Sequence, residues 1–144
     1  MKLHKFLEKN GYQSVALTQI PSGHYILRAR INNIKGIFIL DTGASNTTID
    51  VSKTKYFKLK AKDSKHKATG AGTTEIEIQT AKKNKVRIKK VKLKKITLVL
   101  MDLSHINQAL KIMDVEVDGI IGADILHQAK GIIQYDKDLL FLKA

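Results

Sequence analysis

An apolar run that ends in a carboxylate is the most constraining feature of this sequence. Four consecutive apolar residues, Ile37 to Leu40, close a segment that begins at Ile34, and Asp41 follows directly. A short apolar run without alternation is typical of a strand that is buried on both faces. Because Asp is rarely buried alone, Asp41 needs the N–H groups of the next turn, nearby hydroxyls or a second carboxylate. The segment therefore predicts a buried strand that carries a carboxylate into a loop.

Short strands separated by turns account for most of the remaining sequence. Alternating or continuous apolar patterns predict extended segments at 13–20, 24–31, 34–40, 75–79, 85–100, 132–135 and 139–142. Asn32-Asn33 separates two of these segments, and because Asn tolerates positive φ the pair predicts a hairpin turn. The segment 66–74 is rich in small residues and is expected to be a loop. The pattern as a whole indicates an all-β chain with a few short helices.

The helices are expected to be short and to lie between strands. Helical spacing of apolar residues predicts one before Asn10-Gly11 and others at 51–59, 104–113 and 123–129. Ser104 is expected to cap the third of these helices at its N-terminus. Its apolar stripe is predicted to contain Ile106, Ala109, Leu110 and Met113.

The chain is strongly basic, with 26 Lys and Arg against 13 Asp and Glu and a net charge of +13. The apolar alternation of residues 85–100 slips by one at Lys89-Lys90 and at Lys94-Lys95, which predicts a turn or bulge at each pair. The Lys side chains then lie on the solvated face of half-buried strands. Base and phosphate readout relies on Arg, of which there are three, so we expect no specific nucleic-acid partner. A non-specific polyanion-binding face is the alternative.

Length and composition exclude several classes of protein. A chain of 144 residues without Cys fits one domain and has no disulfide or Cys-based zinc site. The five His are scattered, so we expect no metal site and no cofactor. No apolar run is long enough to span a membrane, so no membrane partner is expected. The N-terminus has no apolar signal segment, so we expect a cytoplasmic protein, or a periplasmic or secreted one if a signal peptide was removed.

Two motifs resemble those of a known family. Asp41-Thr42-Gly43-Ala44 after an apolar strand resembles the active-site signature of aspartic peptidases, especially the bacterial, single-lobed, retroviral-protease-like (retropepsin-like) ones. Ile120-Ile121-Gly122 matches the second signature of that family, and residues 123–126 continue it as bacterial members do. Residues 68–72 occupy the place of the flap, the hairpin that closes over substrate. The hairpin at 132–142 resembles the one that follows the helix in a pepsin lobe.

This resemblance implies a fold and a reaction. The expected fold is a closed, β-barrel-like acid-protease (retropepsin) fold in a single lobe over residues 1–144. Residues 1–20 are either part of this lobe or an N-terminal extension to it. The expected activity is peptide-bond hydrolysis by two carboxylates that activate a water molecule. The sequence contains one Asp-Thr-Gly, so the second carboxylate must be Asp41 of a twofold-related chain. The partners are then a polypeptide substrate and a second copy, and the monomer should be inactive.

The resemblance also implies roles for the neighbours of Asp41. Thr42 would bond across the twofold axis, and Gly43 would permit a backbone geometry that leaves the carboxylates nearly coplanar. Ala44 stands where pepsin-like enzymes usually have Ser, which implies a less acidic pH optimum. Ser45 would bond substrate backbone or stabilise the loop.

Further positions follow from the second signature and the flap. Gly122, after Ile120 and Ile121, would let the chain pass beneath the active loop. The flap would contact substrate through Thr69, Gly70, Ala71 and Gly72. The Tyr that pepsin-like flaps usually carry is missing, since no Tyr lies between Tyr56 and Tyr135.

Three other interpretations stay open at this point. An Asp at a strand end also fits a simple Asx-turn. The same fold without activity would serve as a dimerisation or peptide-binding module. A Lys-rich polyanion-binding protein is the third, and salt-dependent retention on heparin or DNA would distinguish it.

Overall fold

The computed structural model describes residues 2–63, 68–69, 75–76 and 78–143. Three α-helices lie in these ranges: α1 (Leu3–Lys9), α2 (Ser104–Lys111) and α3 (Ala123–Gln128). The strands of the first half are β1 (Gln13–Ala16), β2 (Thr18–Gln19), β3 (Tyr25–Ile31), β4 (Ile34–Leu40), β5 (Thr48–Asp50) and β6 (Ala61–Asp63). The strands of the second half are β7 (Ala68–Thr69), β8 (Glu75–Ile76), β9 (Gln79–Ile88), β10 (Val91–Met101), β11 (Gly119–Ile121), β12 (Ile132–Gln134) and β13 (Leu139–Leu142).

Six strands close into a barrel. The hydrogen-bonded order of the main sheet is β2-β3-β4-β11-β5-β10-β9-β6, and β3 also pairs with β9. That extra pairing joins Arg30 to Arg87 and Ile31 to Val86, and it closes the barrel through β3, β4, β11, β5, β10 and β9. Closure leaves no open edge among these six strands. The expected all-β fold with a few short helices, closed like a barrel in a single lobe, is confirmed.

The barrel interior is filled by aliphatic and aromatic side chains. Its fully buried members include Ile31, Phe38, Ile49, Leu98 and Ile121. They come from β3, β4, β5, β10 and β11, so the strand that precedes Asp41 and the second motif share one core. Truncating a side chain of this kind to Ala costs about 2–5 kcal/mol. The two strands that lead into the predicted site, β4 and β11, are therefore anchored in this core.

The apolar run of β4 is buried on both faces only in its last three residues. Phe38 and Leu40 belong to the main core, whereas Ile39 packs outside the barrel with Leu110 of α2 and Val117. Ile37 is 38% exposed, so the expectation of burial on both faces holds from residue 38 onward.

Local patterns predicted several turns correctly. Asn32 and Asn33 have φ of 51° and 69° and join β3 to β4 as a hairpin. Lys89 (φ 53°) lies in the turn between β9 and β10, and Lys95 (φ 57°) lies where the β9–β10 register shifts between Leu93 and Ile96. Each Lys pair therefore marks the turn or bulge that the slipped alternation predicted.

The helix expected at 51–59 is wrong. Only Val51–Lys53 is helical, as a single 3₁₀ turn, and turns follow to Lys58, whose φ is 55°. The Asp50 side chain accepts from the Ser52 N–H and so caps the start of this single turn. Phe57 is fully buried in the main core and holds this segment against the barrel.

The start of α2 and its apolar stripe also differ from expectation. Ser104 is the first helical residue rather than the cap, and its N–H donates to Oδ1 of Asp102 at 2.9 Å. That bond is the main cause that lowers the pKa of Asp102. Ala109 is exposed, and Leu110 is the buried residue of the helix.

The segments around the expected flap loop differ in part. Ala68–Thr69 pairs with Glu75–Ile76 in a two-stranded ladder, so strand pairing occurs inside the segment 66–74 that was expected to be a loop. The strand expected at 75–79 ends at Ile76, and β9 begins at Gln79.

The two ends of the chain meet in a second sheet of order β1-β13-β12. The closing hairpin expected at 132–142 is present as β12 and β13, with Asp138 (φ 52°) in its turn. The Tyr25 hydroxyl donates to Oδ1 of Asp138 at 2.7 Å, which ties β3 to this hairpin and raises the pKa of Tyr25. Within the described ranges, no helix combines the length and the apolar character needed to cross a bilayer.

Candidate active site

The two sequence motifs lie side by side at one end of the barrel. β4 and β11 are parallel neighbours, with Leu40 opposite Ile121 and Ile39 opposite Ile120. The Asp41 N–H donates to the carbonyl of Ile121 at 3.0 Å, so the first loop residue is still fixed by the second motif. Asp41 therefore leaves the barrel at a backbone position set by two buried strands.

The Asp41 side chain is exposed in the single chain and held by its own turn. Its Oδ1 accepts from the N–H of Gly43 at 2.9 Å, and the Ala44 N–H donates to the Asp41 carbonyl at 3.2 Å. Within the described ranges, the Thr42 and Ser45 hydroxyls make no hydrogen bond. Of the partners considered for Asp41, the turn N–H is the one found among the described residues.

Gly43 has no positive φ, and its missing side chain leaves room for the Asp41 carboxylate. The positive-φ glycines among the described residues are Gly11 and Gly23, so Gly43 adopts an ordinary backbone conformation. A Cβ on Gly43 would lie 3.3 Å from Oδ1 of Asp41, against the oxygen that the turn holds.

Gly122 allows the second motif to pass directly under the loop. A Cβ there would lie 2.6 Å from the carbonyl oxygen of Ala44, a backbone atom that cannot move aside cheaply. The next residue, Ala123, donates its N–H to that same carbonyl at 2.7 Å. The loop and the start of α3 are thus in backbone contact.

Thr47 and Asp124 are joined by two hydrogen bonds that the sequence analysis did not predict. Thr47 is fully buried, and both its N–H and its Oγ1 donate to the carboxylate of Asp124, at 3.0 and 2.7 Å. The Gly122 N–H donates to Oγ1 of Thr47 at 3.0 Å. The carboxylate of Asp124 therefore anchors the end of the active loop. Its place in the first turn of a helix that follows the second motif was the available signal.

A cavity of about 270 Å³ opens beside the loop. Its lining comes from the loop, from α3 and from the start of the closing hairpin: Thr42, Ala123, Leu126, His127, Gly131 and Ile133. The strand β12, which contains Ile133, is an edge of the three-stranded sheet. Thr42 therefore faces a partly apolar recess at the molecular surface.

The predicted flap residues fall mostly outside the described part of the chain. Thr69 lies in β7, where it pairs with Glu75. Gly70, Ala71 and Gly72 lie outside the described residues. Among the residues that the structure describes, no group of three or more His, Asp or Glu side chains is placed to hold a metal ion.

The sequence matches a known protein family over about two thirds of its length. The sequence profile of a family described as aspartyl protease matches residues 27–125, which include both motifs. No curated protein matches the sequence.

Solved structures match over most of the chain. A retropepsin-like aspartic protease from Rickettsia conorii is 25% identical, with a TM-score of 0.60, over 92% of this chain and 89% of that one. The EIAV protease, solved with the inhibitor HBY-793, is 17% identical, with a TM-score of 0.58, over 81% and 98%. The retroviral protease-like domain of Ddi1 from Leishmania major is 15% identical, with a TM-score of 0.56, over 89% of each chain.

Proposed function

Because this chain belongs to the aspartyl protease family and has the retropepsin-like fold in a single lobe, we propose that it is an endopeptidase active as a homodimer. One observation carries the proposal. Each chain contains one Asp-Thr-Gly loop, and its carboxylate is exposed at a position fixed by two buried strands. Two such loops facing each other across a twofold axis supply the two carboxylates that the reaction needs.

The proposed reaction divides acid and base roles between two copies of Asp41. When two carboxylates face each other across a twofold axis at close range, they share one proton, because both cannot ionise together. The ionised one takes a proton from water, whose oxygen attacks the scissile carbonyl carbon, and the protonated one polarises the carbonyl oxygen. The carbon–nitrogen bond then breaks, and the leaving nitrogen takes up a proton from the dyad. The Gly43 N–H, bonded to Oδ1 of Asp41, supports the orientation of each carboxylate.

Features around the loop support the dimer. Asp41, Thr42 and Gly43 are all exposed in the single chain, so the surface around the carboxylate is open to a second loop. The Thr42 hydroxyl has no partner within the described ranges and lies beside a recess lined in part by Leu126 and Ile133. A second loop packed there would cover the recess and accept the Thr42 hydrogen bond. We therefore expect the isolated monomer to be inactive.

The remaining roles are assigned by position. Ser45, exposed after Ala44, would contact substrate backbone or stabilise the loop. Thr69 and the following Gly70, Ala71 and Gly72 would form the flap over a polypeptide substrate. We further propose that residues 1–144 act as one domain, because β1 pairs with β13 and Val15 lies in the main core.

Ala44 gives a test of the electrostatics of the loop. Its side chain has no hydroxyl, so it offers no hydrogen bond to stabilise an ionised carboxylate at Asp41. The substitution Ala44→Ser adds that donor, and the pH optimum of peptidase activity should move to lower pH. An optimum that stays in place, in a variant that folds and dimerises normally, would contradict this role.

The direct experiment is hydrolysis of an unfolded protein substrate between about pH 4 and 7. Wild type should cleave it, and Asp41→Asn should abolish cleavage while leaving the fold and the dimer intact. Asp136→Asn is the matched control, because Asp136 is an exposed carboxylate outside the Asp41 loop. Activity that survives Asp41→Asn would refute the proposal. A folded dimer without activity in the wild type would favour a binding module instead.

A further inference from the structure

Four basic residues stand in register across the barrel and form what we term the basic row: Lys92, Arg87, Arg30 and Lys35. The ladder pairs Lys92 with Arg87, Arg87 with Arg30, and Arg30 with Lys35, on β10, β9, β3 and β4. Residues directly opposite in a ladder point to the same face. Because neighbouring strands lie about 4.8 Å apart, the row spans about 14 Å. It crosses the seam where β3 meets β9 and the barrel closes.

The charges of the basic row are not neutralised within the described part of the chain. Like charges placed directly opposite destabilise a sheet. The ion pairs of the described residues are His4 with Glu8 and Lys53 with Asp118, and neither includes the row. Among the described residues, the one hydrogen bond made by a side chain of the row is from Arg30 Nη1 to the carbonyl of Asn33, at 3.2 Å. A bound anion would remove this repulsion.

The basic row borders a groove of about 510 Å³. Basic side chains that line it are Arg28, Arg30, Lys35, Arg87 and Lys89, which include all three arginines of the chain. The one acidic residue of the lining, Asp118, is paired with Lys53 at 3.4 Å. Ile37, which is 38% exposed, adds apolar surface to the lining.

We propose that this groove binds an acidic polypeptide segment. Guanidinium groups pair with carboxylates through two parallel hydrogen bonds, and the apolar lining offers contacts for side chains between the acidic ones. Proteins that bind single-stranded nucleic acid commonly combine a basic groove with several aromatic faces on which successive bases stack. Tyr56, the one aromatic of the lining, has Lys53 Nζ 5.3 Å from its ring centroid, and its hydroxyl donates to the Lys35 carbonyl. The lining therefore suits a peptide better than a base.

This groove is separate from the Asp41 loop. Lys35 lies near the start of β4 and Asp41 directly follows its last residue, so the two are about 20 Å apart, and Ile37, the lining residue of β4 nearest to the loop, is about 13 Å from Asp41. An acidic segment could occupy the groove while the loop is free. The inference does not depend on peptidase activity, because binding is measured without turnover.

The experiment measures binding of a labelled peptide of Glu, Ala and Leu to the full chain carrying Asp41→Asn, at physiological ionic strength. The same peptide with Gln for Glu, single-stranded DNA, and vesicles containing an anionic lipid are the comparison probes. We expect the acidic peptide to bind more tightly than any of them. Arg30→Gln with Arg87→Gln should weaken its binding by about tenfold or more, since two charge-assisted contacts are lost.

A matched control removes the same charge elsewhere. Lys60→Gln with Lys62→Gln lowers the net charge equally at exposed positions in and just before β6, and it should weaken binding by less than about twofold. Equal losses in both double variants, or no binding of the acidic peptide, would overturn the proposal. Tighter binding of DNA or vesicles that is lost with the arginines would show a different occupant and would also overturn it.

Thermal unfolding supplies an independent readout. Without ligand, Arg87→Gln should keep or raise the Tm, because it removes repulsion between Arg87 and its neighbours Arg30 and Lys92. A lowered Tm would mean that Arg87 makes a net favourable contribution to the unliganded fold, and the repulsion from which the proposal is argued would be contradicted.

Discussion

Removing the Thr47 hydroxyl should loosen the loop that holds Asp41. The substitution Thr47→Val keeps the size and branching of the side chain and deletes two hydrogen bonds of Oγ1. One is the bond to Oδ1 of Asp124 at 2.7 Å, and the other is accepted from the Gly122 N–H at 3.0 Å. The bond from the Thr47 N–H to Asp124 remains, so the variant tests the hydroxyl alone.

The expected loss of stability follows from these two bonds. A hydrogen bond to a charged group contributes about 1.5–3 kcal/mol, and a buried N–H left without a partner costs about 1–3 kcal/mol. Asp124 is half-buried and keeps one bond to the Thr47 N–H, so the low end of each range applies. We expect the free energy of unfolding to fall by about 2.5 kcal/mol. Because the loop is displaced, kcat should fall as well.

The assay is denaturant unfolding of Thr47→Val beside two matched variants. Thr54→Val removes a hydroxyl that donates to the Val51 carbonyl at 2.7 Å near the surface, and should cost less than about 0.5 kcal/mol. Thr47→Ser keeps the hydroxyl and should retain most of the kcat. The reasoning is refuted if Thr47→Val and Thr54→Val are equally stable, or if Thr47→Ser loses as much kcat as Thr47→Val.

Two further substitutions test contacts elsewhere in the fold, one beneath the Asp41 loop and one at the start of α2. Gly122→Ala places a Cβ 2.6 Å from the Ala44 carbonyl oxygen, so the free energy of unfolding should fall by about 3 kcal/mol; unchanged denaturation would contradict the close approach. Asp102→Asn tests the start of α2. The pKa of Asp102 is lowered mainly by its bond from the Ser104 N–H, so its stabilisation is present above about pH 4 and is lost as pH falls through the lowered pKa. The stability difference between wild type and Asp102→Asn should therefore narrow on acidification, and a constant difference would contradict it.

Features encoded by neighbouring residues could be predicted from the sequence. The Asn32-Asn33 turn and the bulge at Lys94-Lys95 depend on local φ and on the alternation of side chains. The juxtaposition of the two motifs could not come from pattern alone, and it rested on the resemblance to a family. The structure adds its physical basis, the parallel pairing of β4 with β11.

Features that depend on tertiary contacts could not be predicted. The 51–59 segment has a helical apolar pattern, yet burial of Phe57 and the positive φ of Lys58 set its conformation. The hydrogen bonds between Thr47 and Asp124 join residues that are 77 positions apart in the sequence. The basic row exists only because β3 closes on β9, which sets Arg30 opposite Arg87.

The most direct test of the account is a mixture of wild-type chains with Asp41→Asn chains, co-expressed so that subunits pair at random. If each active site needs Asp41 from both chains, a heterodimer is inactive. At equal proportions, peptidase activity per wild-type chain should then fall to about half, because half of the wild-type chains have an inactive partner. Activity per wild-type chain that stays constant as Asp41→Asn chains are added would contradict the shared dyad.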